Sequence, residues 1–265
     1  MEPVVGIFKS SDDANRAAGY LKSDGIPDDH LIVLLPGSSE RDLTDELAEV
    51  PTTDTEPPGV GTALGGVVGG AIGAAGGMSL GAAAASFFVP GVGPVITLGI
   101  LGAALLGVGG AAAGAAIGEE LDEGMLEGLP KDDLYIYEDA LRKERSVVIA
   151  FVSEGRKAEA VRKILQQAGA EDVDTARESW WEGLRDAEEV YYSGDGRDFA
   201  RDEAHYRRGF EMAQHPLTRG KEYNEADEFL AARCPQICKE QSFRSGYERG
   251  RNYNKRLAKS AGHSA

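Results

Sequence analysis

The chain has 265 residues, with 28 Lys and Arg against 44 Asp and Glu, 42% hydrophobic and 7% aromatic residues, and 35 glycines. That length allows one large domain or two small ones, and a net charge of −16 repels phosphate and excludes a whole-molecule nucleic-acid binder. Two cysteines exclude a disulfide scaffold and fit a reducing compartment, and the acidic start Met1-Glu2-Pro3 predicts no secretory signal.

The opening residues predict a strand–helix–strand unit over residues 1–35. Residues 4–8 (VVGIF) are an apolar run of strand length. Ser10-Ser11-Asp12-Asp13 supplies a helix cap, and Ala14, Ala17, Ala18 and Leu21 recur at helical spacing up to Gly25. Leu31–Leu35 reads as a second strand. Residues 36–58 form an acidic linker rich in turn residues.

Between Glu56 and Glu119 lie 62 residues without a charge, of which 34 are Gly or Ala. Pro90-Gly91-Val92-Gly93-Pro94 divides the stretch into arms from Val60 to Val89 and from Val95 to Gly118. As helices these would reach roughly 45 and 36 Å, enough to cross a ~30 Å hydrocarbon core. Gly61, Gly65, Gly69, Gly73, Gly77 and Gly81 fall four apart, as do Gly102, Gly110, Gly114 and Gly118, with Gly107 in a parallel row. Small residues at that spacing let helices approach closely in lipid. In water each interior Gly costs about 1 kcal/mol relative to Ala, so an isolated helix would not hold. Residues 59–118 are therefore expected to form a glycine-zipper helical hairpin, with Phe87 and Phe88 near its tip for lipid burial or the far interface. The same rows would also suit subunit packing in a soluble oligomer.

Over residues 119–178 the first pattern returns. A helix begins near Pro130-Lys131-Asp132-Asp133, Val147–Val152 is a strand, Ala158, Val161 and Leu165 mark a helix closed by Gly169, and Asp172–Thr175 would be a last short strand. Two such halves predict an α+β fold, a ferredoxin-like split βαβ sandwich with the hairpin inserted between its second and third strands.

VVGIFKSSDDANRAAGYLKSDGI, the glycine-rich stretch holding FFVPGVGPV, and LPKDDLYIYEDALRKERSVVIAFV together resemble bacterial general stress proteins of the heat-induced, 17M-like type, over roughly residues 3–175. The resemblance implies a stress-responsive role and a ferredoxin-like domain with an inserted glycine-rich hydrophobic segment. It transfers no catalytic residues.

Residues 179–265 lie outside that resemblance and predict an all-α module. Residues 205–211 (HYRRGFE) are echoed at 242–248 (SFRSGYE), giving aromatic-Arg-x-Gly-aromatic-Glu twice. On a helix each aromatic pair shares a face beside its glycine. Two helices, about 197–214 and 239–258, should pack as a pseudo-symmetric pair, with a third short helix near 223–233. Trp180-Trp181 reads as a plug joining the modules. Arg249, Arg251, Lys255 and Arg256 form a basic cluster suited to an anionic surface or to internal neutralisation.

No set of residues has the spacing of a catalytic or metal site. Cys234 and Cys238 are spaced C-x3-C, and the four histidines are scattered. The expectation is a protein that is not an enzyme and takes no cofactor. It would be a stress-response protein at the cytoplasmic face of the inner membrane, with the lipid bilayer and copies of itself as partners. The alternative is a soluble cytoplasmic assembly protein.

Overall fold

The computed structural model describes residues 1–36, 84–89, 93–98, 131–153 and 155–261. They form a mixed α+β protein in two compact units. Pro130–Asp139 and Glu171–Ala265 make the second unit, and the first contains the sheet and ends at Ala170.

The sheet of the first unit has five strands in the order β1-β5-β2-β4-β3, where β1 is Glu2–Phe8, β2 Leu31–Pro36, β3 Ala84–Val89, β4 Gly93–Leu98 and β5 Ser146–Val152. Every neighbouring pair is antiparallel, with registers such as Val4 opposite Ala150 and Val33 opposite Val148. Helices α1 (Ser11–Ser23) and α3 (Arg156–Gln167) pack on one face. There Ala14, Ala17, Leu21, Ala158, Val161 and Leu165 meet Val4, Phe8, Val33, Val148 and Ala150 in one core. The other face carries Ile7, Ile32, Leu34, Val147, Ile149 and Phe151, all fully buried. Burial of both faces explains why these strands read as continuous apolar runs and not as alternating ones.

The internal repeat is visible in the hydrogen bonds. Ser10 caps α1 by accepting from the Asp13 amide at 3.2 Å. Both helices close on a left-handed glycine, Gly25 at φ +91° and Gly169 at φ +93°. The amides of Ile26 and Ala170 then reach back to the carbonyls of Leu21 and Leu165, satisfying carbonyls that the helix end leaves unpaired.

Two expectations are corrected. The expected helical arms include residues that are strands: β3 takes Ala84–Val89, with Phe87 and Phe88, and β4 takes Gly93–Leu98, with Pro94. Aromatic and β-branched residues favour strand there, and β2 offers an edge that β4 fills from Val33–Leu98 to Pro36–Val95. No helix among the described residues is long and apolar enough to cross a membrane. Secondly, Asp172–Thr175 is not a strand. Asp172 accepts from the Thr175 amide at 2.8 Å and caps helix α4, Val173–Ser193.

The second unit contains α4, α5 (Phe199–Met212), α6 (Asp227–Arg233) and α7 (Gln241–Ala261). Helix α2, Leu134–Arg142, follows a single 3-10 turn at Lys131–Asp133.

Candidate functional site

Helices α5 and α7 cross with their backbones almost touching, and the repeated sequence pattern is the cause. A Cβ added at Gly209 would lie 2.8 Å from the carbonyl carbon of Phe243, and one at Gly246 would lie 2.7 Å from that of Tyr206. The relation is reciprocal, each glycine resting on the first aromatic of the other copy. Gly250 extends the seam, with a Cβ there falling 2.5 Å from the Phe210 oxygen. Tyr206, Phe210, Phe243 and Tyr247 are fully buried around the crossing.

Trp180 and Trp181 fill the space beside this pair. The Trp180 ring lies 4.8 Å from Tyr135, 5.8 Å from Phe210 and 6.3 Å from Tyr253. Trp181 packs on Phe210 at 5.8 Å and donates its indole N–H to Glu203 at 2.9 Å. All these residues belong to the second unit. The tryptophans therefore plug that unit, where Trp180 meets Tyr135 of residues 119–178 as well as Phe210 and Tyr253 of residues 179–265, as expected of a plug joining those two segments.

Two groups with acid–base chemistry are buried here. Glu188 is 2% exposed and accepts from the Tyr206 hydroxyl at 2.8 Å and from Arg249 Nε at 2.7 Å. Burial first, and the hydrogen bond to Glu188 second, push the Tyr206 phenol far above its ordinary value. His215 is also 2% exposed; its Nδ1 accepts from the Leu217 amide at 3.1 Å and its Nε2 lies 3.0 Å from Asp132 Oδ1. That arrangement fixes the Nε2–H tautomer. Desolvation, stronger than the opposing attraction of Asp132, holds the His215 pKa below its ordinary value. The Nδ1 lone pair already accepts a bond, and the Glu188 carboxylate is held between Tyr206 and Arg249.

The basic cluster separates into two kinds. Arg249 binds Glu188 and covers the Tyr191 ring at 4.2 Å, while Arg251 pairs with Glu222 and holds that carboxyl below its usual range. Arg244 lies over the Tyr223 ring at 4.5 Å. Lys255 and Arg256 remain exposed. The expected four-residue anionic contact is thereby reduced to two residues, because buried or neighbouring carboxylates take the other two.

Of the remaining residues singled out in the sequence, Gly61, Gly65, Gly69, Gly73, Gly77, Gly81, Pro90, Gly102, Gly107, Gly110, Gly114 and Gly118 lie outside the described residues. Phe87 pairs with Val95 and Phe88 with Pro94 across the β3–β4 hairpin. Sequence reasoning missed Glu188 and His215. Glu188 had a signal, since it follows Trp181 by seven residues and precedes Tyr192 by four, which puts it on the apolar face of α4.

Among the described residues no group of three or more His, Cys, Asp or Glu could hold a metal ion. Comparison with family models, with curated proteins and with solved structures gave no match.

Proposed function

We propose that this chain is a non-catalytic stress-response protein that assembles with copies of itself through its uncharged segment. The observation that carries the reading is the pairing of β4 with β2. A spanning hairpin with its tip at residues 90–94 would need that tip about 30 Å from the soluble domain. Instead Val89 and Gly93 face each other at the sheet's own edge. Among the described residues the outermost strand is β3, with the sequence AASFFV. It lacks the charges and prolines with which proteins protect an open edge, and such an edge is a template for a second strand.

Within this reading the first unit is a ferredoxin-like half-sandwich extended by a hairpin. Strands β1 and β2 flank β5, and α1 and α3 share one face. The resemblance to general stress proteins belongs to the same proposal, as does a reducing, cytoplasmic setting. Support for a non-catalytic role comes from the structural engagement of both buried groups, His215 Nδ1 by the Leu217 amide and Glu188 Oε2 by Tyr206 and Arg249.

Sedimentation velocity of the full chain in detergent-free buffer tests this. Wild type should run as a large particle, and Ser86→Lys, which places a charge on the edge strand, should run smaller with an unchanged circular dichroism spectrum. A monomeric wild type would refute it. The 62 uncharged residues also favour a second reading, attachment to a lipid surface. Recovery of the chain only with detergent, and its retention on carbonate-washed membranes, would select that one.

A further inference from the structure

Among the described residues the sheet of the first unit has two outer strands, β1 and β3, and its registers decide which backbone groups each edge offers. In an antiparallel ladder successive residues turn their N–H and C=O groups alternately to the neighbour on one side and to the other side. The pairings Val4–Ala150, Ile32–Ile149, Val33–Leu98 and Phe87–Val95 tie all five strands to one choice of phase. In one phase Pro3 would turn to Phe151, Pro36 to Val95 and Pro94 to Phe88, and each proline would forfeit a ladder bond for want of an N–H. In the other phase all three nitrogens turn away from a paired residue, and no bond is lost.

A side chain fixes the same choice independently. His30 immediately precedes β2, and its Nδ1 lies 3.1 Å from the Phe151 carbonyl oxygen. That carbonyl therefore points to the β2 side of β5 and away from Pro3 of β1, as the second phase requires. Carried across the sheet, this phase turns the N–H and C=O of Ala84, Ser86 and Phe88 to the outer side of β3, and those of Pro3, Val5 and Ile7 to the outer side of β1. The β1 edge is blunted, because Pro3 has no N–H to give and the charged pair of Glu2 and Arg162 stands beside it. Proline and charge are common protections of a sheet edge. The β3 edge offers a donor and an acceptor at every outward position.

We propose, resting on the self-assembly reading, that β3 pairs antiparallel with β3 of a second copy about a two-fold axis at Ser86. Ala84 then stands opposite Phe88 of the second copy and Ser86 opposite Ser86 of the second copy, and each such pair exchanges both N–H···O bonds. Sliding by two residues leaves Ala84 or Phe88 unpaired in both copies. Sliding by one sets outward groups against inward ones, so the centred register is the best satisfied. The contact is isologous and closes after two copies, joining two five-stranded sheets into one. Pairing β3 with the β1 edge of another copy would run head to tail and would leave the acceptor opposite Pro3 without a donor.

The test combines sedimentation velocity of the full chain in detergent-free buffer with cross-linking, circular dichroism being the check on folding. Ser86→Lys and Ser86→Asp each set like charges directly opposite one another across the axis, which destabilises a cross-strand pair, and each should run smaller than wild type. An equimolar mixture of the two should regain the wild-type sedimentation coefficient, because opposite charges then face each other. In the second arm Ser86→Cys should form an intermolecular disulfide on mild oxidation, located by peptide mass spectrometry. Hydrogen-bonded partners stand about 5.5 Å apart at Cα, and a disulfide accepts about 4.4–6.8 Å. Ala84→Cys, about 13 Å along the strands from its own counterpart, should cross-link at least about tenfold less. An assembled wild type whose charged variants run unchanged or fail to restore each other would overturn the two-fold pairing and leave the assembly reading standing. Equal cross-linking by Ser86→Cys and Ala84→Cys in an assembled chain would do the same. A monomeric wild type would overturn both.

Discussion

Replacing Gly246 by Ala isolates the physical basis of the α5–α7 crossing. The added methyl would lie 2.7 Å from the Tyr206 carbonyl carbon and 3.1 Å from the Phe210 amide nitrogen. Both obstacles are backbone, so no side chain can swing away and the two helices must separate. Overpacking of this kind costs about 1–3 kcal/mol and occasionally more, and a backbone obstacle sets the upper end. Helix propensity returns about 1 kcal/mol. The expected net loss is about 2 kcal/mol, which lowers the melting midpoint of a unit this size by roughly 10 °C. Gly183 in α4 is the internal control, because a Cβ there meets nothing within 4 Å. Gly183→Ala should therefore stabilise by about 0.5–1 kcal/mol. Both tryptophans, Trp180 and Trp181, lie in the second unit, so urea titrations followed by their fluorescence report on that unit alone. Equal stabilisation by Gly246→Ala and Gly183→Ala would refute the close crossing.

Three further predictions concern the second unit. Arg249→Met removes one partner of the buried Glu188 and should destabilise by about 3 kcal/mol in the same titration, whereas loss of a rim contact would cost under 1 kcal/mol. The His215 pKa is lowered in the folded state, so below pH 6.5 the unfolded chain binds more protons and stability falls as the pH drops from 7 toward 5. His215→Gln should flatten that part of the profile, and an unchanged slope would contradict the assignment. Asp172→Ala deletes the α4 cap and should cost about 1 kcal/mol, read as a shift in the urea midpoint.

Much of this architecture is legible in local sequence. Val4–Phe8, Leu31–Leu35 and Val147–Val152 announce strands because both sheet faces are buried. Ser10, Gly25 and Gly169 mark helix ends because their roles depend only on nearby backbone groups. The α5–α7 crossing is legible for a different reason: the aromatic-Arg-x-Gly-aromatic-Glu pattern occurs twice, and a self-complementary surface needs both copies. The β3–β4 hairpin was hidden by its surroundings. Gly and Ala dominate residues 57–118, and their helical spacing obscured two short runs, Phe87-Phe88-Val89 and Val95-Ile96-Thr97, flanking two prolines. Asp172–Thr175 misled because a capping aspartate and a strand end look alike without the partner amide. Arg249 with Glu188, and His215 with Asp132, join residues far apart in the chain, and no local periodicity encodes such pairs.

Amide hydrogen exchange across β4 distinguishes a paired strand from a membrane-spanning arm. Strand β4 lies between β2 and β3 as β5 lies between β1 and β2. The amides of Val95, Ile96, Thr97 and Leu98 should exchange as slowly as those of Val147–Val152 in detergent-free buffer. Rapid exchange at these four positions, with β5 still protected, would contradict it.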